Sequence, residues 1–488
     1  MGKIYELAVR VPAGDVINYD LGRLADAMDI KDPARLAVEI SGSQGLVTIY
    51  PEDPLAEVLM PDPESLLMDS TGRIWVGLHH NGRRTKLRLY DPKSGSAQRM
   101  LLFGTTGAGK STGGQIILAA MKRSGIGVFY ADLKGGQSAP EARGNCDWCV
   151  YTQEGAIAQL RVFWNIMKAR EVRYAAAGRS KFLRDRPDPL MYLILDEANR
   201  LLEKGAPYRD EATFYIKDIG RTGRSLGMGI ALFAQAGHLE ELGGSDTLRS
   251  MLKEGEVILL RWTSNLMRQL VADGLLPAGQ KLMPIPKYAG AFELKSQFDD
   301  TEADEDRPGT QGSGYHLSGL HPTARMRFFK VGSEMPTDGL DPEMLALYGD
   351  GPHAVLEETS WEDAGEAYAG RLDGMDAYKL ACPEQFEETK EGGGGKANGR
   401  GGNSGGGGRP ARSIPVPVIP VAVPEQQQNP ARRTIGDRVL AVMENSDGEM
   451  DIYEILAAVN ADGGKTVKLG SIRSALTGLN AAGRDGDQ

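Results

Sequence analysis

The stretch LLFGTTGAGKSTGGQ at 101–115 ends an apolar run in glycines, a lysine and hydroxyl residues. Gly104, Gly109, Lys110 and Ser111 fit the pattern G-x-x-x-x-G-K-[ST], which wraps phosphate groups. Glycines let the backbone curl so that its N–H groups point at a phosphate, and the helix that follows presents its positive end there. The expected nucleotide contacts are Gly104, Thr105, Thr106, Gly107, Ala108, Gly109, Lys110, Ser111 and Thr112. Lys110 would reach the β- and γ-phosphates of ATP, and Ser111 would ligate Mg²⁺. Strand-like RMLLF before the loop and amphipathic QIILAAMKR after it supply the context the motif requires. The alternative, an ordinary glycine-rich turn, needs strand, glycines, Lys-Ser and helix to coincide by chance. A nucleotide site alone names no activity, because kinases, GTPases and motors share it.

A second chemical signal is LMYLILDEANRLL, a buried strand that ends in two acids. Strand carboxyl ends line the crevice of an open α/β sheet, so Asp196 and Glu197 fall beside the phosphate loop if the strands are near neighbours. Asp196 is then the expected holder of hydrated Mg²⁺, and Glu197 the group that polarises an attacking water. A third signal is RTGRSLGMGIALFAQ, with Gln235 at the carboxyl end of another buried strand, where it can contact a γ-phosphate. Arg221 and Arg224 precede that strand, and Arg268 lies in NLMRQL beyond the next one. Each can serve as an arginine finger for a neighbouring subunit, or simply close a helix at its negative end.

Positioning these residues requires a sheet. Near-continuous apolar strands at 99–104, 126–132, 190–196, 228–234 and 256–262, separated by helical stretches, predict a parallel sheet covered on both faces. That α/β motor domain is assigned to 98–350. Residues 1–97 alternate strand-like pieces (KIYELAVRVP, LAVEISGS, LVTIYP, RIWVGLH, TKLRLY) with turns and one helical piece, LGRLADAMDI, as in a small α+β module. An acidic peripheral segment is assigned to 351–390, and 391–431 is a Gly- and Pro-rich tether that cannot bury a core. Helical periodicity returns in a small terminal domain at 432–488.

Composition bounds the rest. A chain of 488 residues holds roughly two to four domains. The net charge of −10 means that any nucleic-acid contact must come from local basic patches. Three cysteines cannot staple a protein of this size, and the pair in NCDWC, Cys146 and Cys149, reads as two reduced thiols, which suits the cytoplasm. No apolar run approaches ~18 residues, so no span is expected, and any membrane anchoring would come from a protein partner.

Taken together, DLKGG, MKAREVRYAAAGRSKF, LILDEANRLL and GRTGRSLGMGIALFAQ resemble the successive motifs of the FtsK/SpoIIIE class of P-loop motors within the HerA–FtsK superfamily. The resemblance covers residues 1–350, and within the class it is nearest to actinobacterial conjugative transfer proteins of TraB type. It implies a RecA-like ATPase core, a small module before it, a homo-hexameric ring, movement along double-stranded DNA and a C-terminal winged helix. Ala234 to Gly237 read Ala-Gln-Ala-Gly where the class has Thr-Gln-Arg-Pro, so any role of that arginine is missing here. Type VII secretion motors share these motifs, which makes protein export the rival activity.

A DNA motor needs a basic grip. Residues 161–186 carry Arg161, Lys168, Arg170, Arg173, Arg179, Lys181, Arg184 and Arg186, interrupted by Glu171 and Asp185. Lys168, Arg170, Arg173 and Arg179 are the expected phosphate contacts, and a solvated helix face is the alternative. In the tail, TIGDRVLAVMEN, MDIYEILAAVN and LGSIRSALTGLNAAG read as three helices of a helix-turn-helix or winged-helix unit, with Lys465, Lys468 and Arg473 facing a groove. A helical protein-binding module fits the same pattern.

Overall fold

The computed structural model describes residues 3–12, 14–235, 254–261, 284–289, 309–317, 324–371 and 377–382, with isolated positions at 442, 458, 459 and 461. Two compact units divide the chain, Met1–Gly402 and Asn403–Gln488. Arg268, Lys465, Lys468, Arg473 and the winged helix expected of the tail lie outside the described residues.

A ten-stranded sheet organises the first unit, in the order β10-β9-β11-β12-β8-β13-β14-β15-β4-β5. Its centre is made by β8 (Arg99–Phe103), β9 (Gly127–Asp132), β11 (Met191–Asp196), β12 (Met228–Ala234) and β13 (Glu256–Leu260). Every residue of these five strands is buried. That is why they read as unbroken apolar runs and not as alternating ones, since a parallel sheet here is covered on both faces. With edge strand β10 (Trp148–Val150) they run parallel. The remaining strands, β14 (Ser313–His316), β15 (Ala324–Phe328), β4 (Arg73–His79) and β5 (Arg84–Arg88), continue the sheet antiparallel.

The last two belong by sequence to the segment assigned to 1–97 and yet pair within the ten-stranded sheet. Of that segment, β1 (Tyr5–Arg10), β2 (Leu36–Ser41) and β3 (Gln44–Ile49) form a separate three-stranded sheet on which α1 (Leu21–Ala27) packs through Ala25, Leu36 and Val47, while β6 (Tyr90–Asp91) and β7 (Ser96–Ala97) pair as a two-stranded one. The β4 strand instead pairs with β15, and Gly77 permits the approach, because a Cβ there would stand 2.0 Å from the Arg327 carbonyl oxygen.

Helices α2 (Lys110–Arg123), α3 (Gln153–Ala176) and α5 (Arg209–Thr222) cover the sheet. Thr152 caps α3, its side chain accepting from the Gly155 N–H. The helix buries Ile157, Leu160, Phe163 and Ile166 over β9 and β11. Its basic residues do not form a free surface. Arg170 is fully buried: Nη1 donates to the Pro189 and Leu226 carbonyls at 3.1 and 3.0 Å, and Nη2 donates to Glu357 at 2.9 Å. Its guanidinium is thus spent on interior partners in this structure. Arg173 bonds Asp363 at 2.7 Å and Asp188 at 3.4 Å, and Lys168 pairs with Asp218 at 3.1 Å and Glu171 at 3.2 Å. Arg179 donates to the Arg186 carbonyl and lies 5.0 Å from the Tyr174 ring centroid.

One carboxylate partner of each, Glu357 for Arg170 and Asp363 for Arg173, comes from the acidic segment, part of which packs into the main core. Leu356, Ala364, Ala367 and Tyr368 join the main core, and the Tyr368 hydroxyl and Arg371 both bond buried Asp147. Replacing Arg170 by Met should therefore cost about 3–5 kcal/mol by stranding buried acids. Arg221→Met, at a site whose side chain is 72% exposed, should stay within about 0.5 kcal/mol. Urea unfolding of the two variants beside the parent checks both.

Candidate functional site

Parallel register brings three strand ends level. Asp196 aligns with Phe233, and Ala234 aligns with Phe103, so β12 lies between the acid-bearing strand and the loop-bearing strand β8. The loop 104–109 leaves β8 and turns into α2. Gly107 and Gly109 have φ of +72° and +93°, where a side chain would be strained. At Gly109 space is also lacking, because a Cβ would approach the Gly312 nitrogen to 2.4 Å. Among the predicted contacts, Thr106, Gly107 and Ser111 are exposed, Thr105, Gly109 and Thr112 half-buried, and Gly104, Ala108 and Lys110 buried. The exposed stretch is where a ligand can reach the first-turn N–H groups of α2, which have no helical acceptor.

Lys110 is the centre of the cluster. Its Nζ donates to Asp196 Oδ1 at 2.5 Å and lies 3.3 Å from Glu197 Oε1. The Tyr130 hydroxyl donates to Asp196 Oδ2 at 3.3 Å, and the Gln235 amide donates to Glu197 Oε1 at 3.1 Å. Glu197 adopts φ of +55°, and its own N–H donates to Asp196 Oδ1 at 2.8 Å. Burial pushes the Asp196 carboxyl above the ordinary carboxylate range; Lys110 opposes that shift, and buried Asp132 on the adjacent strand adds to it. Tyr130 is held well above the ordinary phenol range, first by burial and then by Asp196.

The donors fit a hydrated Mg²⁺ with a nucleotide. Mg²⁺ favours oxygen ligands and keeps waters and phosphate oxygens alongside one or two protein groups. Ser111 and Asp196 supply such oxygens. No group of three or more His, Cys, Asp or Glu side chains suited to a metal occurs among the described residues. Glu197 Oε2 is buried with no hydrogen-bond partner, which leaves an acceptor available for a water.

The structure separates two of the predicted arginines, Arg221 and Arg224, from this cluster. Arg221 ends α5, largely exposed and bound to Asp218 at 3.0 Å. Arg224, half-buried, sits in the turn Gly223–Leu226 before β12, near Arg99 at the amino end of β8. Both therefore lie at the end of the sheet opposite the phosphate loop. One contact was missed in the sequence: Arg261, directly after β13, donates from Nη2 to the Gly107 carbonyl at 2.7 Å. Its position at a strand carboxyl end beside β8 was the available signal.

No protein-family model matches the chain, and no curated protein matches it. Solved structures do resemble it. One is the cytoplasmic domain of the Thermomonospora curvata type VII secretion ATPase EccC, 21% identical over 60% of this chain and 33% of that one, with a TM-score of 0.43. Another is the pCW3 conjugation coupling protein TcpA in its monomer form with ATPγS, 15% identical over 67% of this chain and 85% of that one, with a TM-score of 0.45. A third is EssC (ATPases 2 and 3) from Geobacillus thermodenitrificans, at 15%, 64%, 52% and 0.42. This chain thus spans a third of the EccC domain and about half of the EssC piece. At such identities and scores these likenesses decide neither substrate nor partner.

The pairing of Lys110 has a pH signature. Asp196, with its carboxyl raised in the folded state, contributes most to stability when protonated, and that contribution is lost as pH rises through the folded value. Lys110 opposes the rise, so removing it extends the loss upward. Lys110→Met should destabilise the nucleotide-free protein by about 3–5 kcal/mol at pH 8 and by clearly less at pH 5. Equal losses in urea unfolding at the two pH values would contradict the ion-pair account.

Proposed function

We propose that the chain is an ATP-hydrolysing motor that assembles as a homo-hexameric ring and moves double-stranded DNA in conjugative transfer of a plasmid or integrative element. The observation that carries the hydrolytic part is the convergence of Lys110, Asp196, Glu197 and Gln235 at the ends of two strands beside the glycine loop. Bound Mg²⁺ and ATP would supply the electrophilic phosphoryl group and charge neutralisation. Ser111 and Asp196 would hold the metal, and residues 104–112 the phosphates. Lys110 would exchange its carboxylate partners for phosphate oxygens. Glu197 would orient and deprotonate a water through Oε2, and Gln235 would fix the Glu197 side chain from the neighbouring strand. Arg221, the more exposed of the two described arginines, is the better placed to reach a neighbouring subunit. The tail would recognise DNA, and a protein partner would bring the ring to the membrane; no helix among the described residues is long and apolar enough to cross one.

One observation favours a second reading, protein export. The basic residues of α3 that would grip DNA are tied to Glu357, Asp363, Asp188 and Asp218. A motor that moves polypeptide needs no such grip.

Glu197→Gln should retain ATP binding and lose turnover by about 10²-fold or more, since only the water-activating group changes. Normal turnover would remove Glu197 from the mechanism. Cargo is tested separately, by the ATPase rate of the full chain with and without long duplex DNA at several salt concentrations. DNA transport predicts stimulation that falls with salt. A rate indifferent to DNA, and raised instead by an exported polypeptide, would replace it with protein export.

A further inference from the structure

Loop 104–109 is held from two sides. On the β12 side the Gly104 N–H donates to the Ala234 carbonyl at 3.1 Å. On the β13 side three contacts converge. The Thr105 hydroxyl donates to the Arg261 carbonyl at 3.0 Å, Arg261 Nη2 donates to the Gly107 carbonyl at 2.7 Å, and the Gly312 N–H donates to the Ala108 carbonyl at 2.9 Å. Arg261 makes two of these three, and its own N–H donates to the Ser313 carbonyl at 3.0 Å.

The same guanidinium reaches further. Nη1 donates to the Lys287 carbonyl at 3.3 Å and to the Thr310 hydroxyl at 3.4 Å, while Thr310 in turn donates to the Pro286 carbonyl at 2.5 Å. Arg261 is only 7% exposed. Its charge is therefore spent on two main-chain carbonyls and one hydroxyl from three separated segments, and among the described residues none of its hydrogen-bond partners is a carboxylate. A buried cation whose described partners are all neutral oxygens is costly, because such acceptors offset its desolvation only in part. A bound polyphosphate would supply negative charge on the far side of the loop whose Gly107 carbonyl it clamps.

From this geometry we infer that Arg261 is a positioning residue for nucleotide binding. By drawing the Gly107 carbonyl outward, it turns the peptide N–H groups of the loop toward the phosphates. Through the loop it presents a second positive charge opposite Lys110. The inference rests on the nucleotide reading of residues 104–112. It predicts that Arg261 sets affinity for the nucleotide and leaves the chemical step to the acids on the opposite flank.

The test compares Arg261→Met, which keeps the apolar stem and removes every donor, with Arg261→Lys, which restores one. Binding of a slowly hydrolysed ATP analogue with Mg²⁺ and the steady-state ATPase constants are measured on the full chain. Arg261→Met should bind the analogue about tenfold more weakly or worse, the loss expected for a charge-assisted hydrogen bond. The KM should rise in parallel while kcat changes by less than about threefold, the pattern of lost ground-state binding. Arg261→Lys should fall between it and the parent. Added guanidinium ion should recover part of the affinity of Arg261→Met, which a purely structural residue would not show. If Arg261→Met fails to fold, Arg261→Lys decides. Parental affinity in any folded variant, or lost kcat with unchanged affinity, would overturn the inference. Failure of the parent chain to bind the analogue would overturn the nucleotide reading itself.

Discussion

Everything at the candidate site turns on one ammonium group held between two buried carboxylates. Lys110 begins a helix, Asp196 and Glu197 end a strand, and the chain separates them by most of the α/β core, yet Nζ stands 2.5 and 3.3 Å from their oxygens. Burial makes the arrangement costly. Burial pushes Asp196 toward its neutral form, and Lys110 chiefly, with the Glu197 N–H, opposes that push. Such a cluster is held together by mutual compensation, and polyphosphate offers Lys110 an equivalent partner. The exchange of one set of oxygens for the other is the simplest way for nucleotide occupancy to change what the acids do.

The sheet exists to set that separation. Fully buried strands register β8, β12 and β11 so that their carboxyl ends are level, and the intervening strand brings Gln235 against Glu197. The strand on the other flank of β8 brings Arg261 under the loop. The site is thus built by four strand ends, with acids on one side of the loop and a guanidinium on the other. The acidic segment after α6 (Pro342–Tyr348) has a different task, locking α3 through Arg170 and Arg173.

Much of this was legible in the sequence, for physical reasons. A parallel sheet covered on both faces forces unbroken apolar runs, so all five central strands stood out, and a glycine loop between strand and helix admits few other readings. The acids followed from the rule that strand carboxyl ends line the crevice. What stayed hidden depends on distant partners. Arg170 reads as a solvated helix residue because nothing near it in the chain shows that Glu357, 187 residues away, will meet it in the interior. The membership of β4 in the main sheet depends equally on pairing with β15, far along the chain. Arg261 sits in a run of ordinary strand residues, and its role emerges only when the Gly107 carbonyl is placed beside it.

The central claim is that the loop and Lys110 form a phosphate site, and thermal unfolding of the full chain against ATP, ADP, AMP and adenosine with Mg²⁺ tests it directly. A ligand that binds only the folded state raises the midpoint with its concentration. The account predicts stabilisation by ATP and ADP, little by AMP and none by adenosine, with the ATP shift lost in Lys110→Met. Equal stabilisation by adenosine and ATP, or no shift with either, would contradict it.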